Sequence, residues 1–127
     1  MEFSLHVGTP DGYHPDPAIV AAAKDRCRLT DQPREAAAGA DLVITDTWAG
    51  MGQEKEKTQR FAAFEGFQVD NPLMAKASPD ALFMHCLPAY RGQEVAAEVI
   101  DGPQSVVWDE AENRLHAQKA LIELLIS

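Results

Sequence analysis

Short apolar runs of strand length, each followed by a stretch with helical spacing, alternate along the whole chain, and this alternation constrains the fold more than any other feature. Phe3–Val7 reads as a strand, and Thr9-Pro10-Asp11-Gly12 as the turn after it, with proline pre-setting one dihedral and glycine tolerating positive φ. Asp16 as N-cap and Pro17 at the first helical position open a helix with Ile19, Val20, Ala22 and Ala23 on its apolar side. Cys27–Thr30 is a second strand, polar enough for a sheet edge. Pro33–Ala38 is a brief helix stopped by Gly39, and the β-branched run Asp41–Thr45 reads as a strand buried on both faces. Gln53–Phe64 is a charged helix with Phe61 and Phe64 on one face and Gly66 as its stop; Asn71–Ala77 is a shorter one. Ala81–His85 is a fourth strand halted by Pro88, Gly92–Ile100 a helix, and Ser105–Trp108 a fifth strand. Asp109 and Glu112 form a capping box for a last helix, from about Glu110 to Leu125, with Ala117, Ala120, Leu121, Leu124 and Leu125 at helical spacing. Strands and helices in this order predict an α/β fold, a parallel sheet covered on both faces.

A chain of 127 residues is one domain in size, and 46% hydrophobic with 24% charged residues fits a globular protein rather than a disordered or coiled-coil one. The net charge of -9 repels phosphate backbones, which argues against a nucleic-acid partner. No apolar stretch approaches the roughly 20 residues of a membrane span. Met1–Ser4 leads straight into the first strand, which predicts no signal peptide, and Cys27 and Cys86 are too few for a disulfide scaffold. A cytoplasmic protein with reduced thiols is the resulting expectation.

Ligands of parallel sheets sit beyond the carboxyl ends of the strands. Two segments there carry unusual polar chemistry, Asp46–Gly52 and His85-Cys86-Leu87-Pro88, and Glu112-Asn113-Arg114 near the start of the last helix is a third. Asp46 would grip a cationic amine or orient a base, unless it is an ordinary loop acid or cap. Gly50-Met51-Gly52 allows close backbone approach to a small ligand, or is a plain turn. Cys86 offers a weak acid or a polar contact, or behaves as a small buried hydrophobe, the commoner use. Arg114 would present a planar guanidinium to phosphate or carboxylate, or pair with Glu110 on the surface. Trp48 and Trp108 read as core or pocket wall. His6, His14, His85 and His116 have no zinc-ligand spacing, and neither a dinucleotide fingerprint nor a P-loop is present, so neither metal nor nucleotide is expected.

Four segments, Asp46-Thr47-Trp48-Ala49-Gly50-Met51-Gly52-Gln53-Glu54, Phe67-Gln68-Val69, Met84-His85-Cys86-Leu87-Pro88-Ala89-Tyr90-Arg91-Gly92 and Asp109-Glu110-Ala111-Glu112-Asn113-Arg114, closely resemble the ornithine carbamoyltransferase family in order and spacing. They resemble its carboxyl-terminal, amino-acid-binding domain, and Thr9–Tyr13 fits the preceding part of that domain. The aspartate-using relatives carry a different residue where Cys86 stands. The resemblance covers essentially residues 1–127 and implies a doubly wound, Rossmann-like three-layer fold of about five strands. It implies attack of the ornithine δ-amine on carbamoyl phosphate, giving citrulline and phosphate, with no metal or organic cofactor. Carried over, Asp46 pairs with the amine, and Gly50 and Met51 belong to the loop over the amino acid. Cys86 lies beside the δ-amine, the Cys86 and Leu87 carbonyls hold the carbamoyl group, and Arg114 reaches carbamoyl phosphate. The family usually has serine where Gly50 stands, which leaves acetylornithine or putrescine as alternative amines.

The family's amino-terminal domain carries a Ser-Thr-Arg-Thr phosphate loop and a segment containing His-Pro; no Ser-Thr-Arg-Thr occurs in this sequence, and its one His-Pro, His14-Pro15, lies between the first turn and the first helix. The resemblance therefore implies a domain truncated at its amino end. A missing central strand would lie between Phe3–Val7 and Leu42–Thr45. It also implies an intact homotrimer or a multiple of it, an isolated chain without turnover, and a last helix whose apolar face drives self-association. A stand-alone amino-acid-binding module without chemistry is the alternative from a different class.

Overall fold

The computed structural model describes residues 2–49 and 56–127. Its elements run β1 (Leu5–Gly8), α1 (Pro17–Ala23), β2 (Cys27–Thr30), α2 (Pro33–Ala36), β3 (Leu42–Thr45), α3 (Lys57–Ala63), α4 (Asn71–Met74), β4 (Leu82–His85), α5 (Ala97–Ile100) and α6 (Val107–Ile126). The local chemistry read from the sequence places several of them. Asp16 accepts a hydrogen bond from Ala18 N at 2.7 Å and Pro17 opens α1. Asp70 caps α4 through Leu73 N at 2.8 Å. Gly12 takes φ +81° in the turn after β1, closed by Tyr13 N donating to the Pro10 carbonyl at 3.1 Å.

The α/β class holds, with parallel strands, but the single sheet of about five strands is replaced by two parallel pairs, β1–β2 and β3–β4. β1 and β3 share no ladder.

Four further expectations are corrected. Ser105–Trp108 is not a strand: Ser105 makes one parallel bridge to Phe83, and α6 begins at Val107. Phe83 donates to the Gln104 carbonyl at 2.8 Å and accepts from Val106 N at 3.0 Å, so two backbone bonds are all this edge offers. Val107 is then fully buried while Trp108 is 68% exposed, a helical division of an apolar run too short to reveal its period. Trp108 is thus neither core nor pocket wall. The early start puts Asp109 and Glu112 inside α6, whose N-cap is Val106 without a side-chain cap, so no capping box forms. Gly92–Ile100 is helical only from Ala97: Gly92 has φ +83°, and Val95 is held in bridges to Val69 and Arg91.

The core surrounds β3 and β4. Val43, Val69, Leu73, Met74, Phe83, Val95, Val99, Ile100 and Val107 are buried together, with Ala37 at the near end of the cluster. Burying a side chain such as Phe83 completely stabilises the fold by about 2–3 kcal/mol. β3 itself is not covered on both faces, because Leu42 and Ile44 remain 41% and 60% exposed. Among the described residues, α6 fully buries only Val107 and leaves Leu115, Leu121, Ile122, Leu124, Leu125 and Ile126 exposed.

Candidate functional site

β3 and β4 run parallel in a register that sets Thr45 beside His85, so the next residue of each strand leaves the sheet at the same edge. Those residues are Asp46 and Cys86. The Cys86 thiol donates to Asp46 Oδ1 at 3.3 Å, and the same oxygen accepts from Thr47 N at 2.7 Å. Both side chains are exposed, open to a ligand approaching the strand ends.

Desolvation, the hydrogen bond to Asp46, and the negative charges of Asp46 and Glu110 push the Cys86 thiol up from its ordinary range; a backbone hydrogen bond opposes them only partly. The sulfur therefore serves as a neutral donor, and thiolate attack on a substrate is disfavoured. Among the described residues, both of these bonds fall on Oδ1 and none on the second carboxylate oxygen of Asp46.

Beneath this pair lies a contact that no sequence spacing announced. His85 is fully buried and Glu94 is 1% exposed. Leu87 N donates to His85 Nδ1 at 2.9 Å, so the ring carries its proton on Nε2, which faces Glu94 Oε1 at 3.2 Å. The same Glu94 oxygen accepts from Tyr90 N at 2.6 Å, while its Oε2 is buried without a partner among the described residues. The ring and carboxylate together hold the Cys86–Tyr90 turn. Within it Leu87 sits at φ +55°, a left-handed conformation that costs a non-glycine residue about 1–2 kcal/mol. The turn is fixed again at its far end, where Arg91 forms a two-pronged ion pair with Asp101 at 2.6 and 2.8 Å. Gln68 Nε2 also donates to the Gln93 carbonyl at 2.8 Å.

Asp46, His85 and Cys86 bring one donor atom each within 4.8 Å of one another, close enough to hold an ion. His85 could join only by giving up the Leu87 N–H, since its other nitrogen faces Glu94. That leaves two free donors, a poor set for a resident metal.

The remaining sequence candidates are placed unevenly. Leu87 belongs to the turn beside Cys86. Gly50 and Met51 lie outside the described residues. Arg114 is exposed on α6, with no ion pair to Glu110 among the described residues, so the surface-pair reading fails. No hydrogen bond joins Arg114 to Asp46 or Cys86. Glu110, whose charge reaches the Cys86 thiol, lies one turn earlier on the same helical face. Trp48 stands at the edge of the site, stacked on Phe64 at 5.8 Å and edge-on to Phe61 at 5.5 Å, and both aromatics come from the predicted α3 face.

Glu94 and Glu110 are the two residues that sequence reasoning missed. Glu94 sits in a stretch read as helix, and nothing local pairs it with a histidine nine positions earlier. In the sequence Glu110 stands at the start of the last helix, within the motif ending at Arg114 and four residues before that arginine, and none of these points to Cys86.

Fold and site together describe an α/β domain whose polar groups Asp46 and Cys86 meet at the carboxyl ends of parallel strands. Residues 1–125 match the family described as "Aspartate/ornithine carbamoyltransferase, Asp/Orn binding domain", and the chain belongs to that family. The ornithine carbamoyltransferase of Nitrosococcus oceani is 64% identical over 126 residues, 99% of this chain and 41% of the relative. Among solved structures, the ornithine carbamoyltransferase of Pyrococcus furiosus is 48% identical with a TM-score of 0.85, covering 94% of this chain and 41% of that one. The anabolic enzyme of Campylobacter jejuni is 39% identical with a TM-score of 0.89, covering 97% and 43%. The chain thus spans about two fifths of the relatives it matches. Among the described residues, no helix is long and apolar enough to cross a membrane.

Proposed function

We propose that this chain is the amino-acid-binding part of an ornithine carbamoyltransferase that works in the cytoplasm as a homotrimer without metal or organic cofactor. One observation carries the reading: an acid and a neutral thiol, 3.3 Å apart, leave paired strands at the same edge. An ornithine δ-ammonium is not a nucleophile until it loses a proton. Asp46 binds the ammonium and draws that proton away, with Cys86 beside the nitrogen as a neutral donor. The freed lone pair attacks the carbonyl carbon of carbamoyl phosphate. A C–N bond forms, the C–O bond to phosphate breaks, and phosphate leaves with the electron pair.

The Cys86 and Leu87 carbonyls accept from the carbamoyl NH2, in the turn that His85 and Glu94 hold rigid. Arg114 supports the phosphate. Gly50 and Met51 meet the amino acid. A single arginine cannot by itself stabilise a departing phosphate or position two substrates, so the isolated chain has no meaningful turnover. The acetylornithine, putrescine and stand-alone binding readings have no observation here that favours them.

The test joins residues 1–127 to the part of the N. oceani enzyme that they do not match and measures citrulline from ornithine and carbamoyl phosphate. The chimera should be active, and Asp46→Asn should lower kcat by about 10²-fold or more. An Asp46→Asn chimera as active as its parent would remove the basis of the assignment, and turnover of acetylornithine or putrescine in place of ornithine would move it to another amine.

A further inference from the structure

Arg91 and Asp101 meet in a two-pronged ion pair, Nε on Oδ2 at 2.8 Å and Nη2 on Oδ1 at 2.6 Å. Their side chains are 47% and 53% exposed, so water screens the pair and it adds little to the stability of the fold. What it imposes is geometry, because a planar fork on a carboxylate fixes direction as well as distance. Both ends are held before they meet. Arg91 is bridged to Val95, and Gly92 N donates to the Val95 carbonyl at 2.8 Å. Asp101 caps the carboxyl end of α5, donating its N–H to the Ala97 carbonyl at 2.9 Å, directly after the buried Val99 and Ile100.

The two partners belong to segments that leave β4 separately. One runs from Cys86 to Gly92 and is pinned at its start by Leu87 N on His85 Nδ1. The other runs from Asp101 into α6 and is pinned by Val106 N on the Phe83 carbonyl. Among the described residues, no other hydrogen bond or ion pair joins 86–92 to 101–114. We propose that Arg91 is a positioning residue: its fork on Asp101 braces the turn of Cys86 and Leu87 against the segment that leads to Arg114, so that carbamoyl phosphate meets both at one fixed spacing. The proposal rests on the functional reading above, in which the Cys86 and Leu87 carbonyls take the carbamoyl NH2 and Arg114 the phosphate. Asp46, which takes the amine, comes from β3 and lies outside the brace. The brace therefore acts on carbamoyl phosphate and leaves ornithine binding alone.

Amide hydrogen exchange on the full chain tests the brace. Arg91→Ala should speed exchange at Leu87 and Tyr90, whose N–H groups bond His85 and Glu94 across the turn, by about tenfold. Met74 and Leu82, away from the turn, should not change. Asp101→Ala should act alike and the double variant no further, since the two side chains form one contact. Arg91→Lys, which keeps the charge and loses the fork, should recover only part of the protection. Unchanged exchange at Leu87 and Tyr90, or equal acceleration at Met74 and Leu82, would overturn the brace. In the chimera described above, Arg91→Ala should raise the KM for carbamoyl phosphate about fivefold or more and leave that for ornithine within about twofold. Equal effects on both substrates, or none on carbamoyl phosphate, would overturn the link to the site. Exchange needs no turnover, so an inactive chimera would sink the functional reading while the brace stands or falls on the amides.

Discussion

The Asp46–Cys86 contact makes a prediction that depends on single atoms. Desolvation is the largest cause of the raised thiol, with the Asp46 hydrogen bond and charge next. A thiol whose neutral form is favoured alkylates slowly until the pH passes its raised pKa. Asp46→Asn removes the Asp46 charge and weakens its hydrogen bond but leaves desolvation and the Glu110 charge, so the midpoint of Cys86 alkylation by iodoacetamide should move down part of the way. Reaction at a fixed pH near 8 should become faster; an unchanged pH profile would mean that the two groups do not meet in solution. Glu94 is tested by stability. Glu94→Ala strips the acceptor from two buried donors, His85 Nε2–H and Tyr90 N–H, and should cost about 2–4 kcal/mol in urea unfolding. Glu94→Gln keeps a carbonyl acceptor and should lose less. At this scale Asp46 and Cys86 were legible because motif and strand end coincide. Their 3.3 Å contact and the His85–Glu94 support were not, since both depend on register between segments distant in sequence.

Among the elements, β1 packs so closely on α2 that a Cβ on Gly8 would lie 3.1 Å from Ala36 Cβ and 3.2 Å from Pro33 Cα. Gly8→Val should therefore destabilise by about 1–3 kcal/mol through overpacking, measured as a lower denaturation midpoint with the slope unchanged. Elements with strong local chemistry were readable: α1 with its Asp16–Pro17 start, and β2 with its edge character. The fifth strand and the capping box were misread together. Val106-Val107-Trp108 has strand composition, but after its two bonds to Phe83 the chain gains more by burying Val107 at the head of a helix. The cover over β3 was misread because a β-branched run records what an element is suited to, and the chain described here leaves Ile44 60% exposed.

For the molecule as a whole, α6 extends a row of leucines and isoleucines that none of the described residues covers. Apolar surface of this kind favours association, so sedimentation velocity should show weight-average mass rising with concentration. Replacing Leu121, Leu124 and Leu125 by glutamate should hold the chain monomeric; a monomer at every concentration in the parent would show that the exposed face is tolerated.

Among the described residues, Pro10 is the one buried side chain ahead of Ala37, where the buried cluster begins. Everything from β1 through α2 is therefore anchored by local contacts and by one seam to the rest, whereas β3, β4 and the helices around them own the core. Heat should separate the two: the amino-terminal third melts early, and the remainder survives to a higher temperature. A calorimeter would register this as a measured enthalpy larger than the van't Hoff value of the main transition, the mark of a chain that comes apart in two stages.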